Sequence, residues 1–217
     1  MSEIFLKVCG LRDPDNIREV ICLKPDFAGF IFHPGSPRYA GKELPVEIQS
    51  LIPPATRKVG VFVDHAIREI IETAGLSRLD FVQLHGNESP SDCMKLKNEG
   101  IKIIKSFRVQ EPFDFGILEP YLGIADYFLF DTLVMDNAGG SGKVFNWEIL
   151  EGYPYEVPFF LSGGISLENA DLAFSLPYPM MKAIDVNSRF EISPGIKDTA
   201  KLRELKKKLS HLNKEYR

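Results

Sequence analysis

The stretch Tyr127-Phe-Leu-Phe-Asp-Thr-Leu-Val-Met-Asp-Asn-Ala-Gly-Gly-Ser-Gly-Lys143 joins a short apolar run to an aspartate and a glycine-rich loop. Residues Tyr127–Phe130 predict a buried strand, and Asp131 stands at its carboxyl end. In α/β proteins, the loops that follow the strands carry the chemistry. A carboxylate there can transfer a proton, and glycines let backbone N–H groups approach an anion closely. The stretch therefore predicts an enzyme that acts on a sugar phosphate.

Seven further apolar runs punctuate the chain, at intervals of roughly 20 to 30 residues that suit repeated strand–helix units. They are Phe5–Val8, Ala28–Phe32, Val59–Val63, Phe81–Leu84, Ile103–Phe107, Phe159–Leu161 and Ala183–Val186. An open doubly wound sheet is the alternative, but the first strand–helix turn, Cys9-Gly-Leu-Arg12, lacks a GxGxxG fingerprint. We therefore predict one compact (β/α)8 TIM barrel of eight parallel strands over residues 1–217.

Three predicted helices carry boundary signals. Asp13, followed by a proline, can cap the first helix. Asp64 can cap a helix whose apolar stripe ends at Gly75. The sequence Ser89-Pro-Ser-Asp92 fits a capping box, and Gly100 ends that helix.

The last helix has leucines at helical spacing and a run of three lysines. The leucines are Leu202, Leu205, Leu209 and Leu212. We interpret Lys206–Lys208 as the solvated face of that helix, in preference to a site for a polyanion.

Composition excludes several classes of protein. The chain has 217 residues, 44% of them hydrophobic, and a formal net charge of −4, which argues against a nucleic-acid-binding surface. No apolar run reaches the length of a membrane span, and the first residues lack a signal peptide. Cys9, Cys22 and Cys93 have no CxxC spacing, so neither a disulfide framework nor a zinc site is indicated. We expect a soluble cytoplasmic protein with no nucleic-acid or membrane partner.

In a barrel, candidate catalytic groups follow the strands at one rim. Cys9 follows the first strand, and a thiolate can act as a base or nucleophile if its pKa is lowered. Lys7 shares the face of Cys9 by strand alternation, so we hypothesise that its ammonium group favours the thiolate. A lone cysteine is more often a small buried hydrophobe, and its place at a strand end is what favours function.

Asp131 follows the sixth strand, and the glycine cluster after it favours a catalytic role over a loop cap. The sequence Gly139-Gly-Ser-Gly-Lys143 is not a Walker A loop, because Asn137 and Val144 stand where that motif needs a glycine and a Ser or Thr.

The loops after the seventh and eighth strands contain Gly163-Gly164 and Asn187-Ser188. In many barrels these two loops hold a phosphate. A lone Gly-Gly is usually a tight turn, but as evidence for a phosphate site it is stronger beside the glycine-rich loop after the sixth strand. The three loops after strands six, seven and eight together favour a phosphate site.

Other polar residues at the rim have two interpretations. Arg38, in the loop after the second strand, can direct a guanidinium group to a carboxylate or remain solvated. His33 and His85 are candidate proton shuttles or hydrogen-bonded loop residues. No cluster has metal-ligand spacing, so we predict no metal.

These motifs together resemble the phosphoribosylanthranilate isomerase family of tryptophan biosynthesis, over nearly the whole chain. The motifs are Lys7-Val-Cys-Gly-Leu11, Gly29-Phe-Ile-Phe-His-Pro-Gly-Ser-Pro-Arg-Tyr39, Val59-Gly-Val-Phe-Val63, Val82-Gln-Leu-His-Gly-Asn-Glu88, Asp131 with Gly139–Lys143, Phe145-Asn-Trp147, Leu161-Ser-Gly-Gly164, Asp185-Val-Asn-Ser188 and Ser193-Pro-Gly-Ile-Lys-Asp198. Any one motif is weak, but the set in this order is specific.

The resemblance implies an Amadori rearrangement on a (β/α)8 barrel, without cofactor or metal. N-(5-phosphoribosyl)anthranilate becomes 1-(2-carboxyphenylamino)-1-deoxyribulose 5-phosphate. It further implies Cys9 as general base, Asp131 as general acid and Arg38 as the ligand of the anthranilate carboxylate. The phosphate is expected on backbone groups of these residues: Gly140, Ser141, Gly142, Gly163, Gly164, Asn187 and Ser188. Lys7, His33, His85 and Asp185 are expected as accessory residues. The only partner expected is this small sugar phosphate, with the enzyme a monomer or a homodimer.

Four positions depart from the family pattern. His33 and Gly35 stand where many relatives have an aromatic residue and a lysine, and Asn187 and Arg189 replace the usual Ser and Gly. These departures concern the substrate clamp, the phosphate contacts and the role of Asp185, and none of them affects the acid or base.

Two rival functions are weighed against this one. An indole-glycerol-phosphate synthase needs a lysine acid and paired glutamates at strand ends, and a metal-dependent epimerase needs a His/Asp ligand set, and neither set is visible. The second rival is a non-catalytic phosphate-binding barrel. Loss of Cys9 or Asp131 would have favoured it, but both residues are present.

Overall fold

The computed structural model describes residues 3–132 and 147–215, and in them eight parallel strands close into a barrel. The strands are β1 Phe5–Val8, β2 Phe27–Ile31, β3 Arg57–Phe62, β4 Phe81–Leu84, β5 Ile103–Val109, β6 Tyr127–Thr132, β7 Phe159–Ser162 and β8 Met181–Val186. Each strand pairs in parallel with the next, and β8 pairs with β1 in a register that sets Lys7 beside Asp185. The predicted (β/α)8 barrel is confirmed.

The predicted strand bounds agree with the observed ones to within about two residues, and β5 and β6 extend beyond their apolar runs. β1 and β4 match their predictions. β5 and β6 continue together because Arg108 pairs with Asp131 and Val109 with Thr132. Asp131 therefore lies inside β6, where the ladder on both sides fixes its backbone.

The helices on the outside of the barrel are uneven in length. The α-helices are α1 Pro14–Cys22, α2 Val46–Leu51, α3 Ile67–Leu76, α4 Pro90–Asn98, α5 Ala170–Ser175 and α6 Thr199–Glu215. Short 3-10 helices cover Phe115–Tyr121, Trp147–Gly152 and Ser188–Phe190. After β8 the chain forms a small antiparallel hairpin, β9 Glu191–Ser193 and β10 Ile196–Lys197, before it enters α6.

Two of the predicted helix caps are confirmed and one is wrong. The Asp13 carboxylate accepts from the Asn16 N–H at 2.8 Å, and Ser89 forms its capping box. Gly100 follows α4 with a φ of +76°, which suits glycine. Asp64 does not cap α3, because that helix begins three residues later without a side-chain cap. Its carboxylate instead accepts from the Asn87 N–H at 2.6 Å.

The last helix, α6, packs as its leucine spacing predicts. Leu202, Leu205 and Leu209 are buried. Two lysines of the Lys206–Lys208 run are half-buried and reach carboxylates, Lys206 to Asp26 and Lys208 to Asp171, while Lys207 is exposed. Within residues 3–132 and 147–215, no helix has the length and apolar character needed to cross a membrane.

The barrel interior has its own apolar core, separate from the layer between strands and helices. Inward positions alternate with outward ones along each strand, so each strand supplies both layers. The inner core consists of Phe27, Val59, Phe81, Ile104, Leu129, Phe160 and Ala183, with Phe5 and Tyr127 packed against it. This core fills the amino-terminal half of the barrel and leaves polar side chains for the carboxyl-terminal half.

Phe27 is the centre of the inner core, and its loss is expected to destabilise the fold strongly. Its ring contacts those of Phe81 and Phe160 edge-on, at centroid distances of 5.8 and 5.0 Å. We expect Phe27→Ala to lower the free energy of unfolding by about 3–5 kcal/mol in urea titrations. Val46→Ala removes a side chain that is 71% exposed and is expected to change it by less than about 0.5 kcal/mol. Equal effects of the two changes would contradict this assignment of the core.

Candidate active site

A cavity of about 320 Å³ opens at the carboxyl ends of the strands. This volume suits a small organic ligand. The cavity is lined by nine of the residues that the sequence predicts: Cys9, His33, His85, Asp131, Gly163, Gly164, Asp185, Asn187 and Ser188. The alternation of strand residues and the shared rim of a parallel barrel bring them together from six different strand ends.

A buried ion pair forms the floor of this cavity. The Lys7 Nζ lies 2.9 Å from the Asp185 Oδ2, and the two side chains are 0% and 6% exposed. Lys7 also donates to the Gln83 Oε1 at 2.7 Å. Burial alone would lower the pKa of Lys7, but attraction to Asp185 and to Cys9 outweighs it and raises that pKa. Lys7 is therefore held as an ammonium ion beneath the cavity.

Cys9 lies above Lys7 on the same face of β1, as predicted. Burial raises the pKa of the Cys9 thiol above its usual value, and the nearby Lys7 charge opposes that rise without cancelling it. The hypothesis that Lys7 favours the thiolate is right about the direction of its influence. The condition of a lowered pKa is not met, because the cost of burying a thiolate exceeds the attraction of one ammonium group.

Gly29 makes room for the Cys9 thiol. A Cβ at this position of β2 would lie only 2.8 Å from the Cys9 Sγ and 3.0 Å from its Cα. Gly10 has a comparable function, because a Cβ there would lie 2.6 Å from the Asn187 Oδ1. Its φ of +78° also favours glycine. The two glycines let β1 approach the neighbouring loops closely at the cavity rim.

Asp131 faces the cavity from β6, three strands from β1 around the closed ring. Its Oδ2 lies 3.3 Å from the His85 Nε2, and the side chains are 32% and 23% exposed. The opposite ring nitrogen, Nδ1, is 3.1 Å from the Gln83 Nε2. Gln83 thus connects Lys7, beneath Cys9, with His85, beside Asp131. Both predicted catalytic residues reach the same cavity from different sides.

The predicted phosphate loops lie together on the side of β7 and β8. Gly163 and Gly164 have φ values of +86° and +66°, and both line the cavity with Asn187 and Ser188. The remaining predicted phosphate residues, Gly140, Ser141 and Gly142, lie outside the described residues. The predicted phosphate residues that the structure describes thus lie on two neighbouring loops.

Arg38 lies at the edge of the cavity, bound to an acidic residue. Its Nη2 is 2.6 Å from the Glu191 Oε2, and its Nε is 2.9 Å from the Glu191 Oε1. Both Arg38 Cδ and Asn187 Oδ1 would clash with a Cβ at Gly10, so the three residues are neighbours. Arg38 is therefore beside the loop that follows β8, although it is not among the residues that line the cavity.

Sequence reasoning missed Gln83 and Glu191. Gln83 is a polar residue two positions before His85, and strand alternation could have placed it inside the barrel. Glu191 carried no such signal, because 153 residues separate it from Arg38. Arg108, near the end of β5, and Asp64, which follows β3, do not line the cavity. Among the residues described, no three His, Cys, Asp or Glu side chains are grouped to hold a metal ion.

The cysteines offer a test of the site's electrostatics. Cys9 and Cys93 are buried, and burial raises the pKa of Cys93 to about 11, whereas Cys22 is exposed. Iodoacetamide at pH 8 is expected to alkylate Cys9 and Cys93 at least about tenfold more slowly than Cys22, because only accessible thiolate reacts. Mass spectrometry of each cysteine peptide measures the rates, and protein in urea is the control in which the three rates converge. Alkylation of native Cys9 as fast as Cys22 would contradict a raised pKa.

The chain is similar in sequence to one family over most of its length. The family model described as N-(5'phosphoribosyl)anthranilate (PRA) isomerase matches residues 6–208. The N-(5'-phosphoribosyl)anthranilate isomerase of Parabacteroides distasonis is 45% identical over 210 residues, which cover 96% of this chain and 94% of that relative.

Solved structures give the same assignment. A phosphoribosyl anthranilate isomerase in complex with reduced 1-(o-carboxyphenylamino)-1-deoxyribulose 5-phosphate is 29% identical, with a TM-score of 0.80 over 96% of this chain and 99% of that one. Monomers generated from the dimeric enzyme of Thermotoga maritima are 28% identical, with a TM-score of 0.78 over 95% and 98%. The resemblance drawn from the sequence motifs is thus confirmed, and the chain belongs to the N-(5'-phosphoribosyl)anthranilate isomerase family.

Proposed function

We propose that this enzyme converts N-(5-phosphoribosyl)anthranilate to 1-(2-carboxyphenylamino)-1-deoxyribulose 5-phosphate in tryptophan biosynthesis. The observation that carries the proposal is the placement of Cys9 and Asp131 at one cavity, from strands three apart in the ring. An Amadori rearrangement moves hydrogen within one molecule, so an acid and a base on different sides of the sugar are sufficient for it.

Asp131 acts as the general acid in the first step. It gives a proton to the ribose ring oxygen as the bond from that oxygen to C1 breaks, and the nitrogen lone pair forms the C1=N bond of a Schiff base. His85, 3.3 Å from the Asp131 Oδ2, is the accessory residue that orients this carboxyl group. The partial exposure of Asp131 gives it access to a proton from solvent.

Cys9 acts as the general base in the second step. Its thiolate takes the proton from C2. The electrons of the C2–H bond form a C1=C2 double bond, and the C1=N electrons return to nitrogen. The enolamine so formed tautomerises to the ketone. A thiol with a raised pKa yields little thiolate but a strong base, and Lys7 offsets part of the cost of forming it. The paired Lys7 and Asp185 serve as accessory residues that keep a positive charge beneath Cys9.

Different groups of the protein bind the two anionic ends of the substrate. Backbone N–H groups around Gly163-Gly164 and Asn187-Ser188 receive the phosphate, together with the loop that contains Gly140–Gly142. Arg38 receives the anthranilate carboxylate, because a planar guanidinium group matches a carboxylate in geometry and charge. His33 lines the same cavity and serves as an accessory residue.

We also propose the domain organisation, compartment and partners of the enzyme. The enzyme works as one catalytic barrel domain over residues 1–217, in the cytoplasm, with no cofactor or metal. Its partner is the small sugar phosphate, and a monomer or a homodimer both suit a site built from one chain.

The proposal is tested by following the fluorescence decay of freshly generated phosphoribosylanthranilate. We expect rapid decay with the wild type and a fall in kcat of about 10²–10⁴-fold for both Cys9→Ser and Asp131→Asn, since each removes one proton transfer. Cys22→Ser makes the same change at an exposed cysteine and is expected to retain full activity. No turnover by folded wild type would contradict the proposed reaction, and full activity of either variant would contradict that residue's role.

A further inference from the structure

The hairpin of β9 and β10 carries a buried carboxylate that no step of the proposed reaction uses. The Glu191 side chain is only 4% exposed, although the residue lies in a small hairpin outside the barrel. Its Oε1 accepts from the Lys197 Nζ at 2.7 Å and from the Gly195 N–H at 3.1 Å. Its two oxygens also bind Arg38. A carboxylate held by two cations at the edge of the cavity calls for an explanation beyond the stability of the hairpin.

Glu191 occupies only one side of the Arg38 guanidinium group. The contacts join Nε and Nη2 of Arg38 to the two Glu191 oxygens. A guanidinium group has five N–H donors in a rigid fork. The side-on contact with Glu191 does not use the end of the fork that Nη1 and Nη2 form. Among the described residues, no hydrogen bond to Nη1 of Arg38 is found. That end can bind a second carboxylate while Glu191 stays in place.

The same cluster reaches the phosphate side of the cavity through Lys197. The Lys197 Nζ donates to the Asn187 Oδ1 at 2.7 Å as well as to Glu191. Lys197 is itself fixed, because its backbone N–H and C=O pair with the Asn16 side chain. A continuous chain of short contacts thus runs from Arg38 through Glu191 and Lys197 to Asn187.

We propose that Glu191 is a positioning residue that holds Arg38 with the free end of its guanidinium group toward the carboxylate of the substrate. Through Lys197 it also fixes the distance between Arg38 and the Asn187 loop, and hence between the grips for the two ends of the substrate. The inference rests on the proposed function, in which Arg38 binds the anthranilate carboxylate. The strength of these contacts is consistent with the pKa of Glu191, which the bonds from Arg38 and Lys197 lower although burial opposes them.

The test compares two substrates, N-(5-phosphoribosyl)anthranilate and N-(5-phosphoribosyl)aniline, which lacks the carboxylate. The measured quantity is the ratio of their kcat/KM values. For Glu191→Gln we expect kcat/KM with the anthranilate substrate to fall about 10- to 100-fold, mainly through KM, while kcat/KM with the aniline substrate changes less than about threefold. Partial unfolding lowers both values by one factor and leaves the ratio unchanged, so the ratio reports positioning separately from stability.

Two further variants make the comparison specific. Arg38→Ala is expected to lower the ratio at least as much, and adding Glu191→Gln to it is expected to lower the ratio no further, because residues that act through one contact are not additive. Glu204→Gln makes the same chemical change on the exposed face of α6 and is expected to leave the ratio unchanged.

The outcomes separate this inference from the proposed function. If the wild type turns over the anthranilate substrate but Glu191→Gln leaves the ratio unchanged, Glu191 has only a structural role and the inference is overturned. Additive losses in the double variant would overturn it as well. If folded wild type turns over neither substrate, the proposed function fails, and this role for Glu191 fails with it.

Discussion

The ion pair between Lys7 and Asp185 is the interaction on which the rest of the site depends. The two residues stand opposite each other in the register of β1 and β8, so the pair lies at the seam where the barrel closes. Both side chains are buried, and removing one partner of such a pair typically costs about 3–5 kcal/mol because the other charge is left uncompensated. The barrel closes with a charge fixed at its centre, directly beneath Cys9. Closure of the fold and the charge next to the proposed base, Cys9, thus depend on the same two residues.

The interior of the barrel changes character above and below this pair. Toward the amino-terminal end, Phe27, Phe81 and Phe160 fill the space with rings, which stabilise the fold and exclude water. Toward the carboxyl-terminal end, Gln83 connects Lys7 with His85, and His85 contacts Asp131. This chain of polar contacts connects the surroundings of the proposed acid, Asp131, with those of the proposed base, Cys9. Its groups are oriented before substrate arrives, which is the condition for efficient proton transfer.

Sequence patterns predicted the parts of this arrangement that follow from local periodicity. Strand alternation and the common rim of a parallel barrel placed Cys9, His85 and Asp131 at one cavity, because those rules need only positions within a strand. The contact of Glu191 with Arg38 could not be predicted, since it depends on how the hairpin after β8 folds back across the rim. The raised pKa of Cys9 was missed because spacing reveals the nearby lysine but not the depth of burial. Asp64 was wrongly assigned to a helix cap because its actual partner, the Asn87 N–H, is 23 residues away and leaves no local signal in the sequence.

The most direct test of the proposed site is a crystal structure of this enzyme with reduced 1-(o-carboxyphenylamino)-1-deoxyribulose 5-phosphate. The account predicts the phosphate against Gly163-Gly164 and Asn187-Ser188, and Cys9 and Asp131 on different sides of the ribulose chain. It further predicts the ligand carboxylate at the free end of the Arg38 guanidinium group, with Glu191 still bound to the other side. A ligand whose phosphate lies elsewhere, or whose C2 is out of reach of the Cys9 thiol, would contradict the account.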